Sequence, residues 1–203
     1  MSKNPIIVFE GIEGSGKTLH INNVAGYLKK KNRNFVKLRE PGGTRTAEII
    51  RKIILHNKSN FNKITDLLLY LAARSENVEK IIKKNYRKKI ILIDRFIDST
   101  LAYQHYGMGI NKKLIINLNK FILYKIKPDF TFLNIVNRKN LKLRLNKRIN
   151  KNRYDKFNFD FYNKVQNGFI NLAKSNNKYF IINSNNEIKY NKKLIIKKII
   201  NLI

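Results

Sequence analysis

Eight consecutive residues, Gly11-Ile12-Glu13-Gly14-Ser15-Gly16-Lys17-Thr18, carry the most explicit chemistry in the chain. They fit the pattern G-x-x-x-x-G-K-[ST], in which glycines let successive backbone N–H groups turn inward around phosphate oxygens. A lysine at the seventh position reaches the outer phosphates, and the hydroxyl after it binds Mg²⁺; here these are Lys17 and Thr18. A second pair, Asp94-Arg95, ends the apolar run KKIILID. At a strand end beside the phosphate loop, Asp94 could orient Mg²⁺ or its water, or act on an acceptor group. Arg95 could meet the phosphate under attack, and the two could instead form a strand-end ion pair.

Such residues need a scaffold to bring them together. PIIVFEGIEGSGKT reads as a buried strand, a glycine turn and a helix running to about Lys30, with Ile21, Val24, Ala25 and Leu28 on one side. A strand over 35–38 ends in Pro-Gly-Gly, and helices are predicted over 47–55 and from 65 to about 85. After the strand IILID comes a loop around Gly107 and Gly109, then a helix near 112–124, the strand FTFLNIV and a helix from about Arg138. A very polar segment, 150–158, precedes a helix to Lys174, the strand KYFIIN and a terminal helix over 192–202. Strands alternating with helices imply one parallel sheet covered on both faces, with ligands beyond the C-terminal strand ends. Ile49, Ile53, Leu67 and Leu71 lie on apolar helix faces that could serve a dimer, but each is read as core. His20, His56 and His105 are read as a surface residue of the first helix, a helix-end residue and a loop residue.

A chain of 203 residues with 43% apolar content suits one domain, 1–203. Without cysteine there is no thiolate nucleophile, disulfide or zinc cluster. Only MSKNP precedes the first apolar run and no stretch approaches a membrane span, so a cytoplasmic protein without a membrane partner is expected. The net charge of +30 would suit a polyanion. Its source is mostly lysine, scattered with Asn and Ile over helix faces without aromatic interleaving, so no specific nucleic-acid partner is expected. A phosphate loop alone serves GTPases, helicase-like ATPases and small-molecule kinases alike. The chain lacks a guanine-reading NKxD and has no length for a second motor lobe, which favours the kinase.

Five segments, FEGIEGSGKT, REPGGT (39–44), YLAAR (70–74), DRFIDSTLAYQ (94–104) and RINKNRYDKFNFDFYNKV (148–165), together resemble the thymidylate kinase family in order and spacing. The resemblance implies a P-loop nucleoside-monophosphate-kinase fold: α/β, with a parallel five-stranded sheet covered by helices on both faces and a small lid near 147–158. It implies ATP-dependent phosphorylation of dTMP to dTDP, Mg²⁺ as cofactor, ATP and dTMP as ligands, and a homodimer. Other readings are a different nucleotide or deoxynucleoside kinase, or a nucleic-acid-dependent P-loop ATPase.

Site residues follow from the same resemblance. ATP would lie on Gly11, Ile12, Glu13, Gly14, Ser15, Gly16, Lys17 and Thr18, with Mg²⁺ at Thr18 and Asp94, partly through water. The dTMP site would comprise Glu13, Arg39, Tyr70, Arg74, Arg95, Ser99, Tyr103 and Gln104. Within it Arg74 would read the thymine carbonyl, Tyr70 would stack on the base, and Arg95 with Arg39 would meet the monophosphate, guanidinium forks matching such acceptors. Tyr103 would crowd a ribose 2′-hydroxyl. Lys17, Arg95, Arg148 and Arg153 would be catalytic, the last two folding over the ATP phosphates, whereas Lys147 and Lys151 are read as solvated. Glu13 would approach the acceptor's 3′-hydroxyl or a Mg²⁺ water, and Glu10 would stand behind it or serve the strand end. Met108, Asn134 and Ile149 depart from frequent family residues: Arg, Asp and a lid glycine.

Overall fold

The first strand, β1 (Ile6–Glu10), is buried along its whole length because both of its faces are covered. The computed structural model describes residues 4–149, 152–174 and 176–203. Lys151 and the first residue of the polar segment, Asn150, lie outside them. The other strands are β2 (Phe35–Arg39), β3 (Ile90–Asp94), β4 (Phe130–Ile135) and β5 (Tyr179–Asn183). Their order is β2-β3-β1-β4-β5, and every neighbouring pair is parallel. The chain therefore goes from β1 to the edge position of β2, returns to place β3 beside β1, and crosses to the other side after β3. That reversal opens a crevice at the C-terminal end of β1, where ligands of such sheets bind.

Alternation along the strands sorts the core. Ile7, Phe9, Leu92 and Phe132 pack against Ile21, Val24 and Leu28 of α1 (Lys17–Lys30) and Ile195 and Ile199 of α9 (Ile188–Ile200). Ile6, Val8, Ile91 and Ile93 face the opposite layer, with Val78, Ile82, Phe96 and Leu123. Several helices start where Asn or Thr accepts the otherwise orphaned backbone N–H groups: Thr44 for α2 (Arg45–Leu55), Asn62 for α3 (Lys63–Asn77), Asn111 for α6 (Lys112–Leu123) and Asn137 for α7 (Arg138–Asn146). α3 continues through a π-helical turn (Val78–Ile82) into α4 (Lys83–Asn85), close to the expected end. A 3₁₀ turn (Arg153–Lys156) and α8 (Phe159–Lys174) complete the described elements.

Three readings change. The segment after β3 is helical, α5 (Ile97–Thr100) followed by a π-helical turn (Leu101–Gly107), so His105 belongs to a helix and not a loop. His20 is buried at 3% exposure, not on the surface, since its face of α1 turns inward. Leu67 and Leu71 are core, as expected, but Ile49 and Ile53 are 55% and 45% exposed on the outer face of α2. His56 does close α2.

Candidate active site

The phosphate loop joins β1 to α1 where the backbone has almost no room. Gly11 has φ 138, and a Cβ there would come within 2.3 Å of the Asn134 carbonyl oxygen on β4, so only glycine fits. Lys17 is buried and donates from Nζ to the Ile12 carbonyl at 2.8 Å, folded across the loop. Burial, then Arg95, lowers Lys17 to about 8, with Asp94, Glu13 and Glu10 opposing; it keeps its charge at neutral pH. Thr18 Oγ1 donates to Asp94 Oδ2 at 2.9 Å, so the loop hydroxyl and the last carboxylate of β3 meet at one point. A hydroxyl and a carboxylate oxygen suit Mg²⁺, which takes few protein ligands and completes its shell with phosphate oxygens and water. Among the described residues no three His, Cys, Asp or Glu side chains gather into an all-protein metal cage.

Arg95 stands at the centre of the opposite wall. Its backbone is left-handed, φ 67, an uncommon geometry for a residue with a Cβ. The guanidinium donates to Glu13 Oε1 at 2.7 Å and to the Gly11 carbonyl at 2.9 Å, and lies 5.1 Å from the Tyr103 ring centroid. Tyr103 donates its hydroxyl to the other Glu13 oxygen. Burial disfavours the charge on Arg95, but Glu13 foremost holds it protonated; burial likewise raises Glu13, and Arg95, Lys17 and the Tyr103 hydrogen bond together bring it below its ordinary value. Glu13 therefore holds Arg95.

Glu10 lies wholly buried behind this pair. Its carboxyl accepts from the backbone N–H groups of Phe96, at 2.8 Å, and Ser99, at 3.2 Å, and from Ser99 Oγ at 2.5 Å. It thereby supplies the N-terminal acceptors that α5 lacks among its own side chains. Burial, then the carboxyl of Asp98, pushes Glu10 up to about 7 against these hydrogen bonds.

A single cleft of about 520 Å³ is lined by Glu13, Lys17, Thr18, Arg39, Tyr70, Arg74, Asp94, Arg95, Ser99, Tyr103 and Gln104. Residues read from the sequence for both halves are thus brought together, although Gly11, Ile12 and Ser15 of the phosphate loop do not line the cleft. Their freedom differs. Arg39 sits at the rim, 55% exposed, in an ion pair with Glu48. Arg74 is buried and donates to Glu40 at 2.7 Å, Asn119 at 2.6 Å and the Phe96 carbonyl at 2.9 Å, keeping one free hydrogen on each terminal nitrogen. The Tyr70 ring meets the Tyr154 ring edge-on, with centroids 6.1 Å apart. Asn134, in place of the expected Asp, donates to Ser184 Oγ at 3.1 Å.

The two lid arginines part company. Arg148 lines the cleft and pairs with Asp155 at 2.6 Å. Arg153 is turned away: it ion-pairs with Asp66, donates to the Ile54 carbonyl and lies over the Phe61 ring, outside the cleft lining. In this arrangement Arg153 stands away from the loop expected to hold the donor phosphates, because the buried Asp66 carboxylate requires a cation. Residues absent from the sequence reading line the cleft instead. Arg144 donates to the Gly14 carbonyl at 2.9 Å and the Ser184 carbonyl at 2.5 Å, and Arg51 donates to the Pro41 carbonyl at 2.7 Å. The available signal for Arg144 was its place four residues before Arg148, near the end of α7. Arg51 gave no motif signal beyond following REPGGT on α2.

The family model described as thymidylate kinase matches residues 9–195. The chain belongs to the thymidylate kinase family. It is 43% identical over 170 residues to the thymidylate kinase of Wolbachia sp. subsp. Brugia malayi (strain TRS), covering 82% of this chain and 80% of that one. With the thymidylate kinase of Thermosipho africanus (strain TCF52B) it shares 39% identity over 183 residues, 90% of each. The crystal structure of thymidylate kinase from Ehrlichia chaffeensis superposes with a TM-score of 0.80 at 34% identity, covering 97% of this chain and 98% of that one. Membership carries ATP-dependent phosphorylation of dTMP to dTDP and the nucleoside-monophosphate-kinase fold.

The Glu10 carboxyl gives this kinase a pH signature. Its folded value of about 7 exceeds the ordinary 4.5, so between these values the folded state holds the extra proton and loses stability as pH rises. Unfolding midpoints followed from pH 4.5 to 7.5 are expected to fall less in Glu10→Gln than in the unmodified chain. Parallel profiles would show that Glu10 does not titrate there.

Proposed function

We propose that phosphoryl transfer in this single domain runs across the described cleft, between a donor half built on Gly11–Thr18 and an acceptor half built on Tyr70, Arg74, Ser99, Tyr103 and Gln104. The observation that carries this reading is Arg95, within hydrogen-bonding distance of the Gly11 carbonyl of the donor loop and of the Ser99 and Tyr103 hydroxyls of the acceptor wall. A phosphate oxygen of dTMP attacks the γ-phosphorus of ATP; the new O–P bond forms as the bond to the β-phosphate oxygen breaks, and ADP leaves. The attacking oxygen is already anionic at neutral pH, so alignment and charge neutralisation suffice and no general base is required.

Lys17 would leave the Ile12 carbonyl for the β- and γ-phosphates, an exchange of one acceptor for a charged one. Loop N–H groups and the α1 N-terminus hold the rest of the donor phosphates. Thr18 and Asp94 would hold Mg²⁺, whose charge when bound offsets that on the donor phosphates. Arg95 takes the acceptor phosphate with Arg39 at the rim, and Glu13 keeps Arg95 aimed. Within a lid spanning about 147–158, Arg148 is the arginine for the transferring group, supported by Arg144, while Arg153 anchors the lid to Asp66. A reaction drawing on ATP and dTMP fits the cytoplasm. Among the described residues no helix is long and apolar enough to cross a membrane.

A second copy of the chain completes the reading. Ile49 and Ile53 on α2 and Ile64 and Leu68 on α3 are each spaced by one turn, largely exposed, on helices that pack side by side. Such a row of apolar side chains is the mark of an interface.

An ADP-release assay over a panel of monophosphates tests the reaction: turnover with dTMP, unstimulated by DNA, is expected, and DNA-dependent turnover without dTMP would overturn it. In the same assay Arg148→Ala should lower kcat on the order of 10² with little change in KM for dTMP. Arg153→Ala should act mainly on the melting temperature, by stranding Asp66; equal kcat losses in both variants would contradict the division of roles. Sedimentation velocity should find a two-chain species that Leu68→Asp dissociates, and a monomeric unmodified chain would rule the dimer out.

A further inference from the structure

Asp66 is absent from every motif read in the sequence, yet three side chains converge on its carboxylate. It lies in the first turn of α3 at 1% exposure. Gln104 Nε2 donates to its Oδ2 at 3.1 Å, the Tyr154 hydroxyl donates to the same oxygen at 2.8 Å, and Arg153 makes the ion pair. Two of these partners, Gln104 and Tyr154, line the cleft; Asp66 itself does not.

We propose that Asp66 is a positioning residue for base selection, acting through the amide of Gln104. A carboxylate accepts hydrogen bonds and donates none, so it accepts only the NH₂ end of a neighbouring amide. With Nε2 committed to Asp66, the carbonyl oxygen Oε1 is the end of Gln104 left for a ligand. An acceptor at that point favours a pyrimidine that carries a hydrogen on N3, as thymine does. It repels cytosine, whose N3 bears a lone pair. A buried polar group left facing another of its own kind has no water to compensate it, so the discrimination is large for one atom.

Arg153 and Tyr154 fit the same scheme. Arg153 sets a cation against the carboxylate, and the Tyr154 hydroxyl holds the oxygen shared with Gln104 in place. Tyr154 also stands edge-on to Tyr70 and Tyr103, with ring centroids 6.1 Å and 5.8 Å away. The lid thus reaches the acceptor base through Asp66, which accounts for an arginine of the lid being spent outside the cleft.

This inference rests on the reading of the cleft as the dTMP site. Its test is the ratio of dissociation constants for dTMP and dCMP, measured by calorimetry on the unmodified chain and on Asp66→Asn. Asparagine can donate as well as accept, which lets the Gln104 amide turn over. The preference for dTMP over dCMP is expected to fall on the order of tenfold in Asp66→Asn. A proportional weakening of both nucleotides would reduce Asp66 to a packing role and overturn the proposal. Should Asp66→Asn not fold, NMR of the unmodified chain decides through couplings across hydrogen bonds: thymine N3–H should donate to the Gln104 carbonyl, and a hydrogen bond donated by the Gln104 side-chain N–H to bound thymine would overturn it. Failure of the unmodified chain to bind dTMP would remove both readings together.

Discussion

The site depends on the placement of one partly buried positive charge, that of Arg95. Arg95 closes β3 with a left-handed backbone, and its guanidinium lies where the phosphate loop, the end of β3 and the helix after it converge. A guanidinium in such a place must be paired, and Glu13 from the phosphate loop pairs it. That explains an acid within a loop meant for anions. Glu13 holds Arg95 in position, and in the proposed reaction it spans the boundary between the two half-sites, with Lys17 and the backbone N–H groups left for the donor phosphates.

Charge behind and around Arg95 is arranged on the same principle. Glu10, buried one residue before the loop, caps α5 and so orients Ser99, Tyr103 and Gln104 along one wall. The lid divides its arginines between two tasks, Arg148 at the cleft and Arg153 on Asp66. In the proposed reaction, positive charge for phosphate transfer comes from a part of the lid that is itself held by Asp66. In that reading, closing over ATP and recognising dTMP are linked through shared side chains.

Much of this was legible in the chain. The phosphate loop and the strand-ending Asp94-Arg95 announce themselves by residue type and spacing, and the alternation of apolar runs with helical segments led to the parallel sheet. What escaped was determined by contacts distant in sequence. The helix from Ile97 to Gly107 has no apolar periodicity and no local cap; its cap is Glu10, 86 residues before Phe96. The direction of Arg153 depends on Asp66, and nothing in NRYD or KITD announces that pair. Ile49 and Ile53 obey the pattern of a core face, yet α2 turns that face outward. Periodicity shows that a face is apolar, not what covers it.

The central claim is that Arg95, aimed by Glu13, reads the monophosphate of the acceptor. Its most direct test compares the affinities of dTMP and thymidine, which differ only in that phosphate, in the unmodified chain and in Arg95→Lys. Lysine keeps the charge but not the fork. The preference for dTMP over thymidine is expected to shrink on the order of tenfold or more, with thymidine binding nearly unchanged. Equal weakening of both ligands would contradict the account.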